Sequence, residues 1–142
     1  HLCDLKTGEV LASAGVMNPQ IRYGDDLMSR VSYVMMHPEG AGLLTLAILE
    51  AINGLLVELS GQVSGDINDI LEIALVANPI MHHILLGINP VNLGTAPFAL
   101  TTSDAIDTRA IEVGLIAHPE ARLYCLPCIA GHVGVFSTFM GV

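Results

Sequence analysis

The sequence contains no tryptophan, and aromatic residues make up only 4% of its 142 positions. A core with so few rings must be built from aliphatic side chains, which fits a hydrophobic content of 52%. Charged residues are also scarce, at 13%, whereas disordered chains combine low hydrophobicity with high net charge. We therefore expect one folded domain with an aliphatic core.

Basic residues are also few. Five Lys and Arg face 14 Asp and Glu, which gives a formal net charge of -9. A nucleic-acid partner needs clustered positive charge to neutralise phosphates, and an anionic membrane surface attracts basic segments for the same reason. The composition therefore argues against both partners.

Cysteine is limited to Cys3, Cys125 and Cys128, an odd number in a chain without a secretory leader. This number argues against a disulfide framework, and we expect the chain to occupy the reducing cytoplasm. The "CLPC" motif could hold a metal or exchange electrons, but a closed site needs four ligands. Its apolar neighbours Leu126 and Ile129 favour two buried thiols.

The longest apolar run extends from Ala41 to Leu59 and is interrupted by Glu50 and Asn53. These polar residues favour a buried helix over a membrane span. The chain begins at His1 without Met and stops in the apolar tail "STFMGV", so we expect an excised piece of a longer protein.

The N-terminal third predicts a hairpin followed by a helix. Gly8 lies in "KTGE" between two apolar segments and suits a left-handed turn position. Asp25 is the expected N-cap of the helix, and Pro38 stops it. The residues expected to share its apolar face are Leu27, Val31, Val34 and Met35.

Further along, Ile70–Ala77 is apolar and predicts a central strand. A helix is expected to begin at once, with Asn78 as N-cap, Pro79 at the first helical position and Gly87 just past the end. The segments "AIEVGL" and "ARLYCLPCIAG" predict further short strands. This order of elements indicates an α/β fold.

Polar residues in so apolar a chain mark the candidate sites. His82 and His83 are adjacent and point about 100° apart on a helix, so we expect no shared metal. Asn78 is either a cap or a ligand-binding residue at the end of a strand. The nine residues "NPQIRYGDD" are the most polar loop, and the glycines of "GHVG" suit the close approach of a phosphate. No Walker or Rossmann fingerprint is present.

Three stretches together resemble the C-terminal ATPase domain of the reductive activators of corrinoid proteins. They are "DLKTGEVLASAGVMNPQIRYGDDLMSRVSY", "VANPIMHHILLGINPVNLGTAPF" and "CLPCIAGHVG", in the family's order and over nearly the whole chain. These activators are ferredoxin-like at the N-terminus and belong to the acetate and sugar kinase, chaperone and actin superfamily. The resemblance implies an RNase H-like (actin-like ATPase) α/β fold, incomplete at both ends, with residues 1–142 forming a single partial domain.

The resemblance also implies candidate nucleotide-binding residues. The family's "NPQ…YG-x-D" motif falls on Asn18, Gln20, Tyr23 and Asp26, together with Pro19 and Gly24. Its "N-x-x-M-x-H" motif falls on Asn78, Met81 and His83. The turn that resembles its second phosphate loop falls on Gly131 and Gly134.

The implied function is ATP-dependent reduction of an inactive Co(II) corrinoid to Co(I). The electron would come from a [2Fe-2S] cluster in a region that this chain does not contain, and a corrinoid protein would be the partner. ATP and Mg²⁺ would bind the intact parent. We expect this chain itself to hold no metal. The resemblance does not identify a catalytic residue in it.

Two departures from the family pattern leave a second class open. An Asp-x-Gly-Thr-Thr phosphate loop is absent, and Val135 and Phe136 replace an Ala-Asp pair. We therefore expect this chain alone neither to hydrolyse ATP nor to bind it tightly. The alternatives are a non-catalytic module that docks a corrinoid protein or forms a homodimer, and a CxxC metal protein.

Overall fold

A computed structural model describes residues 1–128 of the chain. Within that range two short strands are followed by helices, and the remaining three strands are separated by short helices. The strands are β1 (Leu2–Cys3), β2 (Val10–Ala12), β3 (Glu72–Leu75), β4 (Ile106–Arg109) and β5 (Arg122–Cys125). The α-helices are α1 (Leu27–Met36), α2 (Gly40–Gln62), α3 (Pro79–Leu85), α4 (Val91–Gly94) and α5 (Ala110–Val113), and 3₁₀ turns occupy Pro19–Tyr23 and Ile67–Asp69.

The hairpin predicted at the N-terminus is confirmed. Strands β1 and β2 pair antiparallel, and Gly8 has φ +74 in the connection. The Asp4 side chain accepts the backbone N–H groups of Lys6 and Thr7, each at 2.8 Å, so the turn is closed by local hydrogen bonds. This two-stranded unit is separate from the second sheet.

The second sheet has the order β3-β5-β4, so the last strand described lies in the middle. Strand β3 runs parallel to β5, with Leu75 opposite Cys125, and β4 runs antiparallel to β5. The fold is therefore mixed α/β, as predicted, with a three-stranded sheet over residues 1–128. The finer RNase H-like assignment stays a prediction, because two small sheets do not define that fold.

Helix α2 supports the core. It is long and apolar enough to cross a membrane by length and composition alone, but nine of its residues are buried in the folded chain. The prediction of a buried helix is only partly right, because Leu46 and Val57 are 54% and 55% exposed. The side chains buried within the core include Leu44, Ile48, Ile52, Leu56, Ile73, Ile84, Leu93, Leu115 and Leu123.

Two local predictions are wrong. The segment Ala110–Val113 is a single helical turn rather than a strand, and the strand lies just before it at Ile106–Arg109. Gly114 ends that turn in the left-handed region, with φ +96. On α1, Val31 and Val34 are buried as predicted, but Met35 is 56% exposed and lies off the apolar face.

Candidate functional site

The loop before α1 is tied to α2 by a buried amide. Asn18 Oδ1 accepts the backbone N–H of Gln20 at 2.9 Å and so caps the 3₁₀ turn Pro19–Tyr23. The Gln20 side chain is fully buried, and its Nε2 donates to the Leu44 carbonyl at 2.8 Å. Asn18 Nδ2 also donates to Gln20 Oε1 at 3.3 Å. Both motif amides are therefore occupied in holding this loop against α2.

Asp26, rather than Asp25, caps α1. Its Oδ1 accepts the backbone N–H of Ser29 at 2.7 Å and the Ser29 hydroxyl at 2.9 Å. The Ser29 backbone N–H is the main reason why the pKa of Asp26 lies below its usual value, with the Ser29 hydroxyl adding to the effect. The N-cap predicted at Asp25 is therefore wrong by one residue: both carboxylates suit a cap, but Asp26 is the one that bonds to Ser29.

Gly24 is required by space. A Cβ built at this position would lie 2.7 Å from the Arg30 backbone nitrogen and 2.8 Å from the Ser29 carbonyl carbon. Its φ of 167 is extended backbone that any residue adopts, so the close approach of α1 is the constraint. The neighbouring Tyr23 ring lies 5.1 Å from the Tyr33 ring. Tyr23 is half-buried and is the aromatic member of the motif in this loop.

The strand-to-helix turn after β3 forms as predicted. Asn78 Oδ1 accepts the Met81 backbone N–H at 2.9 Å, Pro79 occupies the first helical position, and Gly87 follows the helix with φ +70. His83 is fully buried, and its Nδ1 lies 2.8 Å from the Pro79 carbonyl. A carbonyl only accepts, so Nδ1 carries the proton. Nε2 then accepts the Thr101 backbone N–H at 3.2 Å.

Burial lowers the pKa of His83 below its ordinary value, and the Pro79 carbonyl opposes this shift. The side chain is therefore a neutral imidazole in a defined tautomer. Although His83 lies in the last turn of α3, its Nδ1–H bonds to the carbonyl of Pro79 at the first helical position.

Arg30 brings the two motif regions together. Its Nε donates to the Gly24 carbonyl at 3.0 Å, and its Nη1 donates to Met81 Sδ at 3.4 Å. From α2, the Thr45 hydroxyl lies 2.6 Å from the Ile84 carbonyl and 3.0 Å from the Ala41 carbonyl. The loop and the turn thus share a support made by α1 and α2. Gly131 and Gly134 lie outside the described residues.

A surface cavity of about 430 Å³ lies elsewhere, between the hairpin and the segment 60–71. Its lining includes Leu2, Asp4, Ser60 and Asp66, and none of the six candidate residues within the described range. The Ser60 hydroxyl is buried there without a hydrogen-bond partner in residues 1–128. The cavity therefore does not coincide with the site that the sequence motifs predict.

The residues present do not by themselves fit the triphosphate of a nucleotide. Five of the six described candidates use their side chains for internal hydrogen bonds: Asn18, Gln20, Asp26, Asn78 and His83. The chain has only five basic residues to balance phosphate charge. A [2Fe-2S] cluster does not fit either, because it needs four ligands and the chain has three cysteines, two of them buried.

Both thiols of the "CLPC" motif are buried, as the sequence predicts. Cys125 is fully buried and Cys128 is 7% exposed. Burial, and to a lesser degree Cys128, raises the pKa of Cys125 to about 11, and burial also raises the pKa of Cys128. Thiols of this kind are protonated at neutral pH, which disfavours disulfide exchange.

Sequence reasoning missed one cluster, formed by His82, His83 and Cys128. One ligand atom from each side chain lies within 4.8 Å of the others, and all three residues are buried. Neither ring nitrogen of His82 has a hydrogen-bond partner among residues 1–128. The α3 backbone and a cysteine 45 residues beyond His83 thus bring the three groups together, and the expectation of no shared metal stays a prediction.

Taken together, the mixed sheet, the capped turn after a parallel strand and the amide-tied loop define a small α/β module. The chain belongs to the family described as the RACo middle region, whose model matches residues 1–137. The sequence pattern predicted the C-terminal ATPase domain of the corrinoid activators, whereas the matching model describes their middle region. The ATPase assignment therefore stays a prediction.

Two further comparisons agree with this family. The chain is 30% identical over 138 residues to the corrinoid activation enzyme RamQ of Eubacterium limosum, covering 97% of this chain and 23% of RamQ. A solved structure of a reductive activator for corrinoid, iron-sulfur protein superposes with a TM-score of 0.89 at 31% identity, covering 93% of this chain and 21% of that one. The chain thus spans less than a quarter of the relatives that it matches.

Proposed function

We propose that this chain is the middle-region module of an ATP-dependent reductive activator of corrinoid proteins. The observation that carries the proposal is the match over residues 1–137 to a region of that family. The TM-score of 0.89 against a reductive activator supports it, because 93% of this chain takes part in the superposition. In the intact activator, the reaction would be reduction of a Co(II) corrinoid to Co(I).

In this proposal the module shapes one wall of a nucleotide site in an RNase H-like, actin-like domain. Asn18, Gln20, Asp26 and Asn78 would act by fixing the backbone of two turns, since their side chains are used internally. Tyr23 would offer an aromatic face. The charged contacts to ATP and Mg²⁺ would come from other parts of the parent, which would also hold the [2Fe-2S] cluster.

The rival proposal is a non-catalytic module that docks the corrinoid protein or forms a homodimer. The observation that favours it is the exposed apolar surface of the hairpin and of the irregular segment that follows it. Val10, Leu11, Val16 and Met17 are between 49% and 77% exposed. Such a surface is typical of an interface with another protein segment.

A segment exchange separates the two proposals. The matched segment of RamQ would be replaced by this chain. The loss of Co(II) absorbance, recorded with and without ATP, would then measure corrinoid reduction by the chimera. If the module contributes to the nucleotide site, the chimera supports ATP-dependent reduction and Asn78→Ala in the chimera weakens its response to ATP. A chimera that folds, binds the corrinoid partner and reduces it without any response to ATP would favour the docking module.

A calorimetric titration of the isolated 142 residues provides the companion test. We expect no tight binding of ATP, because five of the candidate side chains are already engaged and little positive charge is available. Micromolar affinity would contradict this expectation and would mean that the chain holds a complete site.

A further inference from the structure

Helix α3 is buried along its entire length although it contains two histidines. All seven residues of Pro79–Leu85 are buried, and His82 is only 1% exposed. Both ring nitrogens of His82 lack a hydrogen-bond partner in the part of the chain that the structure describes. A buried imidazole without partners is costly, since it has given up its bonds to water without replacement. Such a group needs an explanation, and a bound ligand is one.

The neighbouring His83 is oriented in the manner of a metal ligand. Its Nδ1–H donates to the Pro79 carbonyl at 2.8 Å, so the tautomer leaves the lone pair on Nε2. Histidines that bind metals usually donate their other ring N–H to a carbonyl or carboxylate in this way. In the structure Nε2 accepts a hydrogen bond of 3.2 Å from the Thr101 backbone N–H.

The third group is the thiol of Cys128, which the second sheet positions beside α3. The parallel register of β3 and β5 places Cys125 opposite Leu75, and Cys128 follows three residues later. The Cys128 backbone N–H donates to the Ser103 carbonyl at 3.0 Å, which fixes the thiol beside α3. The nitrogen and sulfur atoms all lie within 4.8 Å of one another. With Zn–N bonds of about 2.0 Å and a Zn–S bond of about 2.3 Å, the ligand atoms of a tetrahedral zinc ion lie about 3.3 to 3.5 Å apart, so the three groups must draw together when a cation binds.

We propose that His82, His83 and Cys128 form a binding site for a thiophilic divalent cation of the zinc class. Two imidazoles and one thiolate are ligands that zinc accepts, and three protein ligands leave a fourth position for water or a small molecule. Calcium and magnesium are excluded as occupants because they require oxygen ligands.

The protonation of the cluster suits this role. Burial lowers the pKa of both histidines, with His83 adding to the effect on His82, so the rings are neutral as metal binding requires. Burial raises the pKa of Cys128, so its thiol must lose a proton when the cation binds. Binding therefore releases one proton for each cation and involves no change of oxidation state.

The first test uses the untagged 142-residue chain, reduced and freed of metal, titrated with Zn²⁺ and with Co²⁺. We expect one cation per chain by elemental analysis, uptake that weakens as pH falls, and a near-ultraviolet charge-transfer band from thiolate to Co²⁺. X-ray absorption of the zinc form should show one sulfur and two nitrogen scatterers from the protein. A spectrum with only oxygen and nitrogen scatterers would overturn the proposal without the need for any variant.

Matched variants give the second test. Cys128→Ala should abolish the charge-transfer band, whereas Cys125→Ala, at the other cysteine of the same motif and outside the cluster, should keep it. His82→Leu removes a ligand and the unsatisfied nitrogens together. Loss of a residue that only hydrogen-bonds a metal ligand typically weakens metal binding by roughly 10- to 100-fold. His82→Leu should weaken zinc binding by more than this, while the chain remains folded. Unchanged affinity in folded His82→Leu or Cys128→Ala would show that the ion binds elsewhere and the proposal fails.

Discussion

The guanidinium Nη1 of Arg30 donates to the sulfur of Met81 at 3.4 Å, across 51 positions of sequence. Arg30 lies on α1, directly after the polar loop, and Met81 lies in the first turn of α3. The contact is buried, and Arg30 also holds the Gly24 carbonyl. One side chain therefore links the two segments that the sequence motifs single out.

Loss of the Arg30 guanidinium should destabilise the chain. Arg30→Met keeps an aliphatic stem but removes both hydrogen bonds, and hydrogen bonds to charged groups contribute about 1.5–3 kcal/mol. We expect the free energy of unfolding to fall by about this amount, measured as a shift of the urea midpoint to lower concentration. The control is Arg22→Met, where an exposed guanidinium lies 4.9 Å from the centre of the Tyr23 ring. Its loss should cost no more than about 1 kcal/mol. Equal effects of both changes would contradict the linking role of Arg30.

Gly24→Ala should also destabilise the chain. The added Cβ would lie 2.7 Å from a backbone nitrogen, and overpacking of this kind costs about 1–3 kcal/mol. Gly54→Ala is the matched control, because a Cβ at this position in α2 meets nothing within 4 Å. Replacing a glycine inside a helix should stabilise it by about 0.5–1 kcal/mol. Thermal unfolding should therefore give a lower melting temperature for Gly24→Ala and a higher one for Gly54→Ala.

The cap of α3 should tolerate a change of side chain but not its loss. Asn78→Ala removes the acceptor for the Met81 N–H and should cost about 1 kcal/mol. Asn78→Asp retains an oxygen in the same place and should remain near the wild-type free energy of unfolding. If the aspartate variant unfolds as readily as the alanine variant, the amide nitrogen rather than the capping oxygen is what the position requires.

The buried histidines should make the chain sensitive to acid. Burial lowers the pKa of His82 and His83 from the ordinary 6.5 in the folded chain, so the unfolded chain binds more protons as pH falls below that value. The stability is therefore fully present above about pH 6.5 and is lost at lower pH, by up to about 1.4 kcal/mol per pH unit for each histidine. Urea midpoints between pH 5 and 8, with a chelator present, measure this slope. His82→Leu should reduce it, and an unchanged slope would exclude His82 as a cause.

Local signals in the sequence predicted the parts of the structure that depend on local chemistry. The hairpin turn at Gly8, the end of α1 before Pro38 and the start of α3 at Asn78 each follow from residues within a few positions. Capping was misplaced at Asp25 because two adjacent aspartates suit the role. Only the path of the backbone decides which oxygen reaches the Ser29 N–H.

The cluster at His82 could not be predicted in this way. His82 and Cys128 are brought together by the register of two parallel strands, and no spacing in the sequence records that register. The turn at Ala110–Val113 was missed for a related reason. Four residues rich in β-branched side chains suit a strand, and the bond from the Ala110 N–H to the Ala121 carbonyl is set by a distant segment.

The place of β5 in the sheet has a consequence for how the chain folds. Both neighbouring strands, β3 and β4, pair with β5 and not with each other, yet β5 is the last of the three to be synthesised. The backbone hydrogen bonds of the hairpin and of α2 join residues close in sequence, so these elements can form early, whereas the sheet must wait until Arg122–Cys125 has left the ribosome. Pairing of Leu75 with Cys125 also closes a long loop, which is slow. Nascent chains that stop before Arg122 should therefore keep helical structure but have no second sheet.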